Sequence, residues 1–247
     1  MDGHKTSPQW LARGGMGLLA ALLSACTSLP PVAVNSEVKT TPTPTQSSPT
    51  VEVPLVRRPV HLGLALGGGA ARGFAHVGVI QVLEEAGLKP SHVVGTSAGS
   101  LVAALYASGK SVPELRKAAE TMEEAEITDW MVPLLNRGAL RGEALAKYVN
   151  AQVGGRNLES MKIPLGIVAT DLRSGEAITF RRGNTGSAVR ASSAVPAVFQ
   201  PVRIGDREYV DGGLVAPVPV HQAREMGANF VIAVDISSDP EGNPAGD

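Results

Sequence analysis

The stretch VVGTSAGSLVAALYASG, Val93 to Gly109, leaves the backbone few options. An apolar run stops at a glycine. A serine follows, framed as Gly95-Thr96-Ser97-Ala98-Gly99, and an Ala/Leu-rich segment begins at once. Gly-x-Ser-x-Gly between a strand and a helix reads as a sharp turn with the serine hydroxyl at its apex. Such a turn crowds the backbone, so a Cβ two residues to either side of Ser97 would clash. The helix that starts there also aims the positive end of its dipole at the serine. The same pattern suits an ordinary strand-to-helix turn with a capping serine. A nucleophilic Ser97 needs two further things: donors for a developing oxyanion and an acceptor for its proton.

The surroundings set the fold class. VHLGLAL, from Val60, is a short apolar run suited to a buried strand. A glycine cluster follows, then FAHVGVIQVLEEAG, in which Phe74, Val77, Ile80 and Leu83 recur at helical spacing and Gly87 suits a C-cap. HVVG predicts the next strand, and the stretch after Ser97 the next helix. Strand, glycine loop, helix, strand, serine turn, helix is the order of a mainly parallel sheet covered by helices, an α/β fold. Hydrophobic residues at 43% and charged residues at 18% suit a packed core. Farther on, Val112 to Gln152 reads as helical, and IPLGIVATDL and EAITF as strands joined around Arg173-Ser174-Gly175. A helix is expected near Ser187 to Ser193, a hairpin over VRIGDREYVDGG, a short helix over Val218 to Met226, and a last buried strand at NFVIAVDI. A sheet of this kind usually continues with another helix, so a truncated chain is the expectation.

Gly67-Gly68-Gly69, between a strand and a helix, offers unhindered backbone N–H groups to an anion, either a phosphate or an oxyanion. The spacing matches neither a dinucleotide loop nor a Walker loop. A serine turn one βα unit later would lie at the same carboxyl edge of the sheet, which favours the oxyanion. The proton acceptor is less obvious. Of five histidines, His61 and His92 sit at the starts of strands, away from Ser97. His76 falls within the first helix, where a core-edge or surface place is expected, and His4 lies in the leader. His221 follows prolines at a helix start but comes after Asp211, as a Ser-Asp-His order would require. Asp211-Gly212-Gly213 also suits a plain turn. A net charge of −1 and 4% aromatics argue against nucleic acid. No His/Cys/Asp cluster suggests a metal, and no cofactor is expected.

Four motifs, LALGGGAARGFAHVGVIQVLEEAG, VGTSAGSLVAALYASG, RASSAVPAVFQPV and YVDGGLVAPVPV, occur in order. Together they resemble the patatin-like phospholipases, especially the bacterial branch related to neuropathy target esterase, over roughly Val60 to Ser238. The resemblance implies a three-layer α/β/α fold and a Ser-Asp dyad without histidine. It assigns the catalytic pair to Ser97 and Asp211, the oxyanion loop to Gly67, Gly68 and Gly69, and the loop's basic residue to Arg72. One departure stands: one residue more than in the plant-type pattern separates the glycines from Arg72-Gly73, which leaves open which amides point inward. The implied activity is a serine acyl hydrolase acting on phospholipids, lysophospholipids or other acyl esters. The rival readings are a His221-dependent esterase and a non-catalytic envelope lipoprotein that binds acyl chains.

The leader is read from residues 1–25. Lys5 and Arg13 precede an apolar run, Met16 to Ala25, too short to span a bilayer. Leu23-Ser24-Ala25-Cys26 ends it, with the only cysteine of the chain at the cleavage point. An ordinary signal peptide would have no use for that cysteine. The segment resembles a lipoprotein lipobox, which implies lipidation of Cys26 and a bacterial envelope location on the membrane. Residues 26–59, rich in Pro, Thr and Ser, then form a tether, and 60–247 the hydrolase domain. Metabolic labelling with a fatty-acid analogue should tag wild type and not Cys26→Ala, since each buried CH₂ contributes about 0.8 kcal/mol of anchoring. An unlabelled wild type would remove the lipobox reading.

Overall fold

The computed structural model describes residues 59–125 and 138–237. The leader, Cys26 and all of the tether but its last residue lie outside the described residues. Those described belong to one compact unit, Leu55–Asp247.

The first apolar run forms β1, Leu62–Leu66. After the glycines, a 3-10 turn at Ala70–Phe74 leads into α1, Ala75–Glu85, which ends ahead of Gly87 at φ +71. β2 is His92–Thr96 and α2 is Ala98–Ala107, with Ser97 alone between them. α3 covers Val112–Ala125, β3 Gly138–Leu140 and α4 Glu143–Gln152. The region expected to be helical throughout therefore holds a short strand as well. β4, Leu165–Asp171, and β5, Ala177–Phe180, form a hairpin, followed by α5, Thr185–Ser192. β6, Ala197–Phe199, pairs with β3 in a separate two-stranded sheet that the sequence did not suggest, because three-residue strands carry too little periodicity. β7, Val202–Ile204, and β8, Arg207–Asp211, are the expected hairpin. α6 is Val220–Glu225 and β9 is Phe230–Val234.

Four parallel strands in the order β9-β1-β2-β4 make the centre of the main sheet, and β5, β8 and β7 extend it antiparallel. Alternation sorts the side chains onto two faces. Leu64, Leu66, Val93, Leu165 and Ile167 join the core under α1 to α5, while Ala65, Val94 and Val168 pack with Ala223 of α6 and with Ala216 in the segment before it. The small residues on the second face let α6 lie close to the sheet. Helices thus cover both faces of the sheet, giving the α/β/α layering. One expectation is corrected: β9 is not buried. It is the outermost strand of the sheet as described, and Phe230 is 59% exposed.

α4 and α5 pack without room to spare. The Gly186 N–H donates to Asn150 Oδ1 at 2.9 Å, and a Cβ at 186 would lie 2.2 Å from the Ala146 carbonyl oxygen. The nearest of these is backbone, not a flexible side-chain end, so the two helices must separate to admit a methyl. Gly186→Ala should therefore lower stability by about 1–3 kcal/mol, the usual range for overpacking. Urea unfolding followed by circular dichroism measures this, and an unshifted midpoint would show that the contact yields freely.

Candidate active site

Three strands compete for the two edges of β4. β2 pairs with residues up to Val168, β8 with Ala169 to Asp171, and β5 with Ile167 to Thr170. Because β5 overlaps both, β2 and β8 must share the opposite edge. They meet end to end on consecutive rungs: Thr96 opposite Val168, and Asp211 opposite Ala169. The residue after β2 is Ser97 and the last residue of β8 is Asp211. Their side chains meet, with Ser97 Oγ donating to Asp211 Oδ2 at 2.7 Å.

Ser97 has φ +51 and ψ −122, a conformation that costs a residue with a Cβ about 1–3 kcal/mol. The neighbours enforce it. Ser97 N–H donates to Ser192 Oγ at 2.8 Å, and that hydroxyl donates in turn to the Val168 carbonyl at 2.5 Å. The glycines on either side have no alternative. A Cβ on Gly95 would sit 2.4 Å from the Gly99 carbonyl oxygen, and one on Gly99 would sit 2.2 Å from that of Leu66.

Asp211 is held just as firmly. Its N–H donates to Ala194 O at 2.9 Å and its carbonyl accepts from Thr170 Oγ1 at 2.8 Å. Oδ1 accepts from Gly213 N–H at 2.6 Å, which leaves Oδ2 for the serine. Gly212 is pressed so close to β4 that a Cβ would lie 2.2 Å from Val168 O, and one on Gly213 would lie 2.9 Å from Asp211 Oδ1. Burial raises the Asp211 carboxyl above its usual 3.8, and the hydrogen bonds from Ser97 and Gly213 oppose this in part.

The glycine loop lies against the serine: a Cβ on Gly68 would be 3.2 Å from Ser97 Cβ. Its amides are unequal. Gly67 N–H donates to Val234 O and Gly68 N–H to Pro217 O, so two of the three expected donors are engaged by other backbone. Among the described residues no acceptor occupies the amides of Gly69 and Ala70, and Ala70 has φ +51. The sequence left open which amides of the Gly67-Gly68-Gly69 loop point inward; those of Gly67 and Gly68 are taken by other backbone, and those of Gly69 and Ala70 are not. Arg72 also differs. Its Nε donates to the Ile236 carbonyl at 2.7 Å and so ties the loop to the segment after β9.

No histidine contacts either partner of the Ser97–Asp211 bond among the described residues. His221 is exposed on α6, which packs on the opposite face from α2. His92 is buried at the far end of β2, with Nε2 2.8 Å from Ala223 O, and His61 is exposed. His76 is a correction: it is fully buried, with Nε2 2.8 Å from Gly67 O. The sequence held a signal for this, since positions 76, 80 and 83 share a helix face. Among the described residues no group of three His, Cys, Asp or Glu side chains could hold a metal, and no helix is long and apolar enough to cross a membrane. A narrow apolar cavity opens beside the serine, lined in part by Ala70, Ala71, Phe74, Ala98, Leu101 and Leu115.

Ser192 had no role in the sequence reading. It is fully buried in α5 and joins the serine turn to β4. Ser192→Ala leaves the Ser97 amide and the Val168 carbonyl without this partner. One unsatisfied buried group costs about 1–3 kcal/mol, so Tm should fall and labelling of Ser97 by a fluorophosphonate should slow. Full-speed labelling in a folded variant would show that the turn does not need this support.

A family model described as patatin-like phospholipase matches residues 64–224. An uncharacterized NTE family protein of Mycobacterium tuberculosis is 36% identical over 187 residues, which is 75% of this chain and 51% of that protein. The patatin-like phospholipase domain-containing protein 6 of Mus musculus is 32% identical over 73% of this chain and 14% of its own. The chain thus spans about half the length, or less, of these curated relatives. Among solved structures, VipD from Legionella pneumophila aligns at 18% identity with a TM-score of 0.49, over 63% of this chain and 46% of that one.

Proposed function

The chain belongs to the patatin-like phospholipase family, and from that premise we propose that it is a serine acyl hydrolase that works through a Ser97–Asp211 dyad on fatty-acyl esters of phospholipids or lysophospholipids. The observation that carries the proposal is the 2.7 Å hydrogen bond from Ser97 Oγ to Asp211 Oδ2 at a strained turn, with no histidine of the described residues bonded to either partner.

The steps follow from the geometry. Ser97 Oγ attacks the acyl carbonyl as its proton passes to Asp211 Oδ2. A free carboxylate is a weak base for an alcohol, but the proton becomes acidic as the Oγ–C bond forms. Burial also raises the Asp211 carboxyl and makes it a better acceptor than a solvated aspartate. The oxyanion is received by the Gly69 and Ala70 amides and by the start of α2, whose first N–H groups lie beside Ser97. Collapse expels the lyso-lipid alkoxide, which takes the proton from Asp211. Water then attacks the acyl-serine as its proton passes to Asp211, and when the Oγ–C bond breaks Ser97 Oγ takes that proton back and the fatty acid leaves. The apolar cavity beside Ala98 suits the acyl chain. In the same proposal, lipidated Cys26 and the tether hold the domain at the bacterial envelope, within reach of its substrate.

The test is kcat/KM against pH on a soluble ester, for wild type, Asp211→Asn and His221→Ala. Asp211→Asn should lose activity by several orders of magnitude and stay folded, because an amide cannot accept the proton. His221→Ala should stay close to wild type. The sign of the pH effect follows from the role: the base works only when ionised, so activity falls as pH drops through its pKa. Because burial raises that pKa, the acid limb should lie above the 3.8 of an ordinary aspartate and should not move in His221→Ala. An inactive His221→Ala beside an active Asp211→Asn would overturn the dyad.

A further inference from the structure

His76 holds the one buried side-chain nitrogen or oxygen among the described residues that lacks a partner, its Nδ1. The ring is fully buried in the first turn of α1, and Nε2 lies 2.8 Å from the Gly67 carbonyl oxygen. A carbonyl only accepts, so Nε2 carries the proton and Nδ1 keeps a bare lone pair in an apolar interior. Burial agrees with this neutral form by lowering the ring's pKa below 6.5. An apolar side chain of similar size would fill the space without an orphaned nitrogen. What the imidazole adds is the Nε2–H.

That donor acts on the loop against the serine. Gly67 N–H goes to Val234 O at 3.0 Å and Gly68 N–H to Pro217 O at 2.9 Å, while Gly67 C=O goes to His76. His76 at the carbonyl and Pro217 at the N–H thus hold the Gly67–Gly68 peptide plane, Val234 holds the plane before it, and Gly68 leaves beside Ser97 Cβ. The next two amides, of Gly69 and Ala70, are those assigned above to the oxyanion. Glycine tolerates both signs of φ, so a Gly-Gly peptide without a partner for its carbonyl can turn over. Turning it would redirect every amide that follows.

We propose that His76 is a positioning residue: its Nε2–H clamps the Gly67 carbonyl from inside α1 and so keeps the Gly69 and Ala70 amides aimed at the reacting carbonyl. This rests on the hydrolase reading above. The residue touches no reacting atom and acts only through the backbone it holds.

The experiment compares the full chain as wild type, His76→Gln, His76→Asn and His76→Leu. The Gln amide nitrogen reaches about as far as His Nε2, the shorter Asn amide does not, and Leu has no donor. Measured are kcat and KM on a p-nitrophenyl ester, the fluorophosphonate labelling rate, and Tm. His76→Leu should lose about tenfold or more in kcat, short of the roughly 100- to 1000-fold of a deleted donor, with KM near wild type. His76→Gln should recover most of that loss. His76→Asn should not, even where its Tm equals that of His76→Gln, and this pair decides the matter if His76→Leu does not fold. Packing alone would make kcat follow Tm across the series, with no advantage for Gln over Asn, and that result overturns the clamp. A folded His76→Leu with wild-type kcat overturns it as well. A wild type that neither hydrolyses esters nor takes the fluorophosphonate would instead strike the hydrolase reading, a separately visible failure.

Discussion

The site depends on how one edge of β4 is divided. Parallel β2 uses it as far as Val168, and antiparallel β8 takes it from Ala169 onward. Two strands running toward each other along one edge must stop where they meet, so their ends are adjacent whatever the intervening chain does. This brings Ser97 to Asp211 across 114 residues of sequence. The junction also explains the glycines around it. Gly212 passes over the Val168 carbonyl with no space for a methyl, and that same carbonyl takes the Ser192 hydroxyl. Val168 O is thus a fixed point from which both the serine turn and the aspartate loop are held.

The parallel half of this arrangement was legible because its signals are local. Apolar runs, glycines at turns and a helical stripe each act within a few residues, and β1, β2, α1 and α2 fell where they were read. The hairpin of β7 and β8 was legible for the same reason, but not the edge on which it docks, since register between distant segments leaves no mark in one sequence. The short strands β3 and β6 lay below the reach of periodicity. The glycine loop was read by composition, which treats three glycines alike. The backbone does not: Gly67 and Gly68 spend their amides on Val234 and Pro217, and the chain becomes free only at Gly69. His76 was misplaced by residue type, although its spacing from Ile80 and Leu83 pointed inward. Ser192 shares a helix face with buried Ala188 and was hidden in the same way.

The two loops that meet at Ser97 are restrained by different means. The aspartate loop is fixed by sheet register and by its own return bond, Gly213 N–H to Oδ1. The glycine loop has no strand partner for its last residues, so it borrows fixed points from β9, from the segment before α6 and from α1. With the Arg72 bond to the Ile236 carbonyl, the loop has four external ties, and each restrains a different part of it. In the proposed mechanism that division matters, because an oxyanion site gains from donors already in place and loses when they must reorient during the reaction.

A carboxylate can replace the usual imidazole at such a site only if its environment works against its own acidity. Desolvation at Asp211 raises the carboxyl, while the serine hydroxyl and the Gly213 amide stabilise the charged form and lower it. With desolvation the larger effect, the group ends above a free aspartate yet keeps both oxygens oriented. The Gly213 bond fixes which oxygen faces the serine and limits how far the pKa can rise. A histidine would bring the higher pKa without burial, but it would need its own orienting partner and space for a ring between Ser97 and β8. The consecutive rungs on β4 leave Ser97 Oγ and Asp211 Oδ2 at direct hydrogen-bond distance, so nothing can stand between them. The same register that creates the pair therefore suits the short carboxylate that the proposed mechanism uses as its base.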